Sequence, residues 1–327
     1  MNNAMSNVQV SIVIPVYNRA DLLPGAVRSC LRQGVAVEVI VVDDGSREDV
    51  LGALRAHFAA ELESGQVRYF RQENQGACVA RNLGLEKAVG DYVKFLDSDD
   101  VLLPGALAQE VACFAEHDVE VVVTGWQEQR FAIDGKPIAG SERLVHAPEL
   151  GRGVDDMLLG RGPWTAAALY KRSFVQGLRW DPAWYKAQDW GWSLIVCLAG
   201  ARYVSLDIPS AIYKHHAGAR ITSDGDVLLR SMQARQYFLR MIEDSLNAQG
   251  ALTPERRKLL AQYYYKDRIF LCESDPKAWD AVWWHIQELV PGFVPEESIR
   301  IAAWFHRVLG VRRGIRWYVG VKSWVKS

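Results

Sequence analysis

The chain has 327 residues, 49% of them hydrophobic and 24% charged, which is enough apolar material for one or two ordinary cores and rules out a disordered polypeptide. Its formal net charge of −1 gives no global attraction to nucleic acid. The five cysteines, Cys30, Cys78, Cys113, Cys197 and Cys272, show no CxxC spacing and are odd in number, which argues against a disulfide framework or a cysteine zinc site and for a reducing, cytoplasmic setting. Residues Met1 to Asn7 lack the basic and apolar regions of a leader, and no stretch approaches the roughly 20 apolar residues of a membrane-spanning helix.

In chain order, Val10–Val16 is predicted as a first strand, with Pro15 at its margin because proline cannot donate to a ladder. A helix follows. Its apolar positions Leu22, Leu23, Ala26, Val27, Cys30 and Leu31 recur at three- and four-residue spacing, with Asp21 as the N-cap and Gly34 as the stop. Val37–Val42 is a second strand, and it runs into Asp43-Asp44-Gly45-Ser46, where Ser46 is expected to cap a helix that buries Val50, Leu51, Leu54 and Phe58. Val67–Phe70 is a third strand, Gly76–Ala88 a third helix, and Tyr92–Leu96 a fourth strand that delivers Asp97-Ser98-Asp99-Asp100.

This rhythm predicts an α/β fold whose parallel sheet is joined by right-handed crossovers. Ligands bind such sheets beyond the carboxyl ends of the strands, where both acidic clusters fall, so the pattern points to a metal-dependent enzyme acting on a nucleotide-activated substrate. A further helix and strand reach about Val123, a turn is marked by Gly135-Lys136-Pro137, and residues 126–225 read as irregular and rich in Trp and Gly. Beyond Asp226 the pattern turns helical, over Leu228–Asn247, over Glu255–Leu271, and again after Pro276 and Pro295. The expected divisions are residues 1–110, 111–225 and 226–327.

Ile12-Val13-Ile14-Pro15-Val16-Tyr17-Asn18, Val41-Val42-Asp43-Asp44-Gly45-Ser46, the run Asn74 to Gly84 containing Ala80-Arg81-Asn82, and Phe95-Leu96-Asp97-Ser98-Asp99-Asp100 together resemble the family 2 glycosyltransferases in order and spacing. The resemblance is strongest over residues 10–110, extends more loosely to 222, and is absent from the rest. It implies a GT-A fold, a mostly parallel Rossmann-like sheet flanked by helices, with residues 1–110 as the nucleotide-sugar-binding half and 111–225 as the acceptor half. It also implies a nucleotide-sugar donor, a UDP-sugar being favoured, Mn²⁺ or Mg²⁺ as cofactor, and inversion at the anomeric carbon. By the same resemblance Asp43 accepts the imide N–H of a uracil or thymine ring, Tyr17 packs on the base and Pro15 shapes the loop. Asp99 is the first choice of metal ligand, with Asp97 near the ribose or a metal-bound water, Asp100 as substitute, and Ser98 beside the donor. Arg81 reaches the diphosphate or braces Asp97, while Asp44 is read as a capping residue.

Displacing a diphosphate with inversion requires a base on the acceptor hydroxyl. Asp189 matches the second member of the family's acidic pair, but the first is Gln188 here, and the family's downstream arginine is missing from Leu194–Leu198. A simple helix N-cap is the other reading of Asp189. His216, which fits better than His215, and Arg220 resemble a late segment approaching the diphosphate or metal. Trp164, Trp190 and Trp192 offer flat rings for a glycan or lipid-linked acceptor, or for the core. Residues 300–326 interleave Arg and Lys with Trp304, Trp317 and Trp324 and contain no acidic residue, a composition that suits peripheral contact with anionic lipid on the inner membrane face or a packed basic helix. The expected role is synthesis of a cell-surface glycan. An inactive sugar- or nucleotide-binding module of the same fold is the alternative, and a sugar nucleotidyltransferase is disfavoured because no Gly-rich basic loop follows the first strand.

Overall fold

The computed structural model describes residues 8–132, 136–150, 153–158, 161–182, 188–215, 227–268 and 276–294, and the chain divides into two compact units, residues 1–223 and 224–327. Among the described residues the first unit is built on nine strands. β1 (Val10–Val16), β2 (Val37–Asp43), β3 (Val67–Arg71) and β4 (Tyr92–Phe95) form a parallel layer in the order β3-β2-β1-β4. β1 and β2 are buried along their whole length, as near-continuous β-branched runs require when helices cover both faces. The chain steps outward from β1 to β2 and β3 and then returns to place β4 on the other side of β1. That reversal opens a crevice at the carboxyl ends of β1 and β4.

The segment read as irregular is a mixed sheet. β4 pairs antiparallel with β8 (Ala168–Lys171), β8 antiparallel with β6 (Val121–Arg130), β6 parallel with β9 (Tyr203–His215), and β9 antiparallel with β5 (Val101–Leu102), while β7 (Arg143–Val145) joins β6. The parallel rule therefore holds for the first four strands, and the later ones alternate.

Pro15 lies within β1, paired with Val42, rather than at its end. It is tolerated for a simple reason. Val16 O accepts from Asp44 N on the β2 side and Val13 O accepts from Leu96 N on the β4 side, so residue 15 would direct an N–H toward β4 at a level where β4 has already ended.

The helices α1 (Leu23–Cys30), α2 (Val50–Ser64), α3 (Ala77–Lys87) and α4 (Ala106–Glu116) pack on this sheet, and α5 (Val154–Leu158), α6 (Arg172–Val175) and α7 (Gln188–Leu198) follow in the same unit. Two expected caps are corrected. Leu22, not Asp21, occupies the cap position of α1, and no side chain bonds there. Asp49, not Ser46, caps α2 by accepting from Gly52 N at 2.8 Å. Serine and aspartate are equally competent caps, and the tight turn through Gly45 delays the helix until Val50. α3 sits close on β1: a Cβ at Gly84 would fall 2.2 Å from a Val13 methyl, so only glycine permits this approach.

One polar group lies deep in the first unit. Lys94 on β4 and Glu110 on α4 are both fully buried and bonded at 2.7 and 2.9 Å. Thr124 and Ser210, also buried and 2.6 Å apart, carry the network on to the carbonyls of Ala167 and Ala166. Burial lowers the Lys94 ammonium and raises the Glu110 carboxyl, each opposed by the other's charge. The four cysteines described, Cys30, Cys78, Cys113 and Cys197, are buried.

In the second unit α8 (Val227–Ala248), α9 (Pro254–Arg268) and α10 (Pro276–Leu289) bury Phe238, Ile242, Leu260, Tyr265, Trp279 and Ile286. Glu243 accepts from Tyr264 at 3.1 Å and meets His285 Nε2 at 2.8 Å. The helix expected after Pro295 lies outside the described residues. Among those described, no helix is long and apolar enough to cross a membrane.

Candidate active site

Three loops converge at the carboxyl ends of β1, β2 and β4. After β1, Tyr17 stands 45% exposed at the crevice, and Asn18 takes a positive φ of 49°, a conformation asparagine tolerates better than most residues. Asn18 N donates to Ser46 Oγ at 2.9 Å and its Oδ1 accepts from Arg47 N at 2.8 Å, which ties this loop to the one after β2. Asp43 is buried. Its Oδ1 accepts from Ser46 N at 2.8 Å, and its Oδ2 accepts from Tyr69 at 2.7 Å and Arg71 at 2.6 Å. Burial pushes its pKa up, but the Ser46, Tyr69 and Arg71 interactions outweigh this and hold it below the usual carboxylate range. Much of its accepting capacity is thus engaged within the protein.

Asp44 has an organising role. Its carboxylate accepts from Gln75 N, Gly76 N and Gln72 Nε2 at 2.7–2.9 Å and so shapes the entry to α3. Gly45 has φ +76°, and a Cβ there would fall 2.8 Å from Asn74 N. Gly45, Arg71, Gln72, Glu73 and Asn74 line an open cleft of about 480 Å³ beside Asp43.

After β4 the carboxylates of Asp97, Asp99 and Asp100 gather, one oxygen from each lying within 4.8 Å of the others, with Ser98 buried among them. Asp97 Oδ1 accepts from Arg81 Nη2 at 2.7 Å, Asp99 Oδ2 pairs with Arg19 Nη1 at 2.8 Å, and Asp100 Oδ1 accepts from Lys214 N at 2.8 Å. Burial, and then the charges of Asp99 and Asp97, push the Asp100 carboxyl well up. An all-carboxylate oxygen set held this close fits a hard divalent cation such as Mg²⁺ or Mn²⁺.

Asp189 enters from the opposite side of the crevice. It lies in the first turn of α7 (Gln188–Leu198), inside the helix rather than at its cap, and accepts from the Thr165 hydroxyl. Thr165 opens a 3₁₀ turn, Thr165–Ala167, whose carbonyls the Lys94–Glu110 network holds. Burial and then the charge of Asp97 push Asp189 up, opposed by Arg81 and Thr165. Arg81 links the two sides. Its Nη1 donates to Gln188 Oε1 at 2.7 Å while Nη2 holds Asp97, and its guanidinium lies 4.6 Å from the Trp180 ring centroid.

The tryptophans divide. Trp192 is fully buried and stacks on Trp180 at 4.7 Å and 3°, with Phe95 and Tyr170 edge-on, so it is a core residue and not an acceptor platform. Trp164 is nearly buried, edge-on to Tyr213 at 5.2 Å. Trp190 stays partly exposed and donates to Met157 O at 3.1 Å. His216, Arg220 and the basic aromatic run 300–326 lie outside the described residues. The sequence reading missed Arg19, Thr165 and Trp180. Arg19 directly follows the Tyr17-Asn18 strand end and was within reach of that reading, whereas Thr165 and Trp180 carry no local signal.

The glycosyl transferase family 2 pattern matches residues 11–177, half of the chain. The chain belongs to glycosyl transferase family 2. It is 37% identical over 141 residues to the putative teichuronic acid biosynthesis glycosyltransferase TuaG of Bacillus subtilis, covering 43% of this chain and 53% of that protein. It is 38% identical over 103 residues to an uncharacterized glycosyltransferase of Haemophilus influenzae, covering 31% and 40%. The matched segments span between 16% and 53% of the length of the curated relatives. Among solved structures, TarS of S. aureus in complex with UDP-GlcNAc superposes with a TM-score of 0.63 at 17% identity, covering 94% of this chain and 90% of that one. The mannosyltransferase PcManGT from Pyrobaculum calidifontis, in complex with GDP-Man and Mn²⁺, gives 0.51 at 16% identity, covering 100% and 90%. The family and these superpositions establish the GT-A fold.

Proposed function

We propose that this family member is an inverting glycosyltransferase that moves a sugar from a nucleoside diphosphate, a UDP-sugar being favoured, to a hydroxyl of a glycan or lipid-linked glycan. What supports the reading is Arg81: one buried guanidinium joins Asp97 of the acidic cluster to the helix that carries Asp189, so the groups for leaving-group departure and for acceptor activation share one crevice. Asp97, Asp99 and Asp100 would hold Mg²⁺ or Mn²⁺, which when bound supplies charge neutralisation for the departing diphosphate. Asp189 takes the proton from the acceptor hydroxyl as the oxygen attacks the anomeric carbon. Its raised pKa moves it toward the value an efficient base needs near neutral pH. Tyr17, which is exposed, and the cleft beside Asp43 and Arg71 serve the base and ribose, with Trp190 on the acceptor side. TuaG's name and the UDP-GlcNAc bound to TarS favour a UDP-sugar and a cell-surface glycan.

Calorimetric titration of the full chain with UDP, GDP, dTDP and CMP, each with and without Mn²⁺, tests the donor side. Mn²⁺-dependent binding of UDP or dTDP is expected, and binding of none of the four would overturn the reading. With the matching sugar nucleotide, Asp189→Asn should leave donor affinity near the parent value and lower transfer by about 10²–10⁴-fold, the usual contribution of a general base. Normal turnover in that variant would remove Asp189 from the role. The basic aromatic run 300–326 is proposed to contact anionic lipid, and flotation with anionic liposomes that is unchanged by its deletion would reject this.

A further inference from the structure

The two arginines at the acidic cluster are held in very different ways. The Arg81 side chain is 4% exposed and locked between Asp97, Gln188 and the face of Trp180. Releasing it would strand a buried charge, which makes it a fixed part of the framework. Arg19 stands in the loop after β1 with its side chain 26% exposed, so its guanidinium reaches water and can leave without being stranded, while its partner Asp99 is only 10% exposed and needs a replacement cation when it goes. Asp99 Oδ2, the oxygen Arg19 holds, belongs to the same carboxylate that the cluster offers to a cation. Lys214 adds its field to the cluster, but its contact with Asp100 is through the backbone N–H, and its ammonium lies 5.6 Å from the Phe131 ring centroid.

A guanidinium at 2.8 Å from Asp99 and a divalent cation on the same carboxylate repel one another, so the two compete. We infer that Arg19 is an exchangeable counter-ion: it neutralises Asp99 when the cluster holds no metal, yields that carboxylate to the entering cation, and then pairs with the diphosphate brought to the same strand ends. Cation and nucleotide binding are thereby coupled through one side chain. The cation is opposed by Arg19 when it enters alone and is favoured when an anionic diphosphate engages the displaced guanidinium. Arg19 is thus a positioning residue for the proposed donor site, and the inference rests on that reading.

The test measures free Mn²⁺ by electron paramagnetic resonance in titrations of the full chain, with and without saturating UDP and, separately, GDP. In the wild type, nucleotide should tighten Mn²⁺ binding. Arg19→Gln should bind Mn²⁺ alone about tenfold more tightly, because a charge of the same sign has left the site, and should show a smaller gain from nucleotide. Arg19→Lys, which keeps the charge, should stay near the wild type, and Asp99→Asn should lose most Mn²⁺ affinity. Wild-type protein that takes up Mn²⁺ with an affinity Arg19→Gln leaves unchanged or weakens would overturn the exchange and spare the cation site. Wild-type protein that takes up no Mn²⁺, with or without either nucleotide, would overturn both.

Discussion

Replacing Lys94 with methionine tests how the core of the first unit is held. The side chains of Lys94 and Glu110 are both fully buried, so the substitution leaves a carboxylate in the interior without its cation. Such a half-pair typically costs about 3–5 kcal/mol. Glu110 has one escape, which is to take up a proton, and burial already pushes it that way. Protonating a carboxyl of ordinary pKa at pH 7 costs about 3 kcal/mol, and at pH 5 about 1 kcal/mol, so the penalty is capped and must shrink on acidification. The sign follows from linkage. In the variant the folded pKa of Glu110 lies above its unfolded value, so its protonated form stabilises the fold below the ordinary carboxylate range, and that stabilisation is lost as pH rises. The assay is urea unfolding of the full chain at pH 5 and pH 7, read in the transition belonging to the first unit. Lys94→Met should lose about 3 kcal/mol at pH 7 and roughly 1 kcal/mol at pH 5, while Lys94→Met with Glu110→Gln should cost less than the single change at pH 7. A single-variant cost below about 1 kcal/mol at pH 7, or an equal cost at both pH values, would refute the reasoning.

Thr165→Val removes a bond that lowers the pKa of Asp189, so the acidic limb of the kcat/KM profile should move to higher pH with donor affinity unchanged; Thr165→Ser should restore it, and an unmoved limb would show that the hydroxyl does not tune the base. Gly84→Ala drives a methyl into Val13 and should cost about 1–3 kcal/mol of stability by thermal unfolding, whereas an unchanged melting temperature would mean that α3 shifts freely. Asp43 is held below the ordinary carboxylate range, so its contribution is present above its unfolded pKa and is lost as pH falls through its folded value. Asp43→Asn should therefore be less stable at pH 7 and lose less stability between pH 5 and pH 3 than the parent. Parallel acid-unfolding curves would argue against the Tyr69 and Arg71 interactions.

The parallel half of the fold was readable because its signals are local. Buried β-branched runs that end in carboxylates or in Tyr17-Asn18 announce strands with chemistry at their carboxyl ends, and the family resemblance added Arg81 beside Asp97. Partnerships were not readable. Lys94 is one charge in an otherwise uncharged strand, and only the fold brings Glu110 from the next helix to meet it. Arg81 and Gln188 are 107 residues apart, and no spacing rule joins them. Trp192 was ambiguous for the opposite reason: a tryptophan beside an acid suits a sugar platform or a core equally, and the face of α7 turned inward decides the matter.

The indoles of Trp180 and Trp192, parallel to within 3° at 4.7 Å, form a coupled chromophore pair in the interior of the first unit. One ring lies in the loop whose backbone Asn82 clasps, and the other rides on α7, three residues beyond Asp189 in the same helix. Small rotations of α7 change the overlap of the rings before they change any secondary structure. The near-ultraviolet circular dichroism of this protein therefore offers a built-in optical gauge of how the base-bearing helix is seated, legible without a label and without knowing the acceptor.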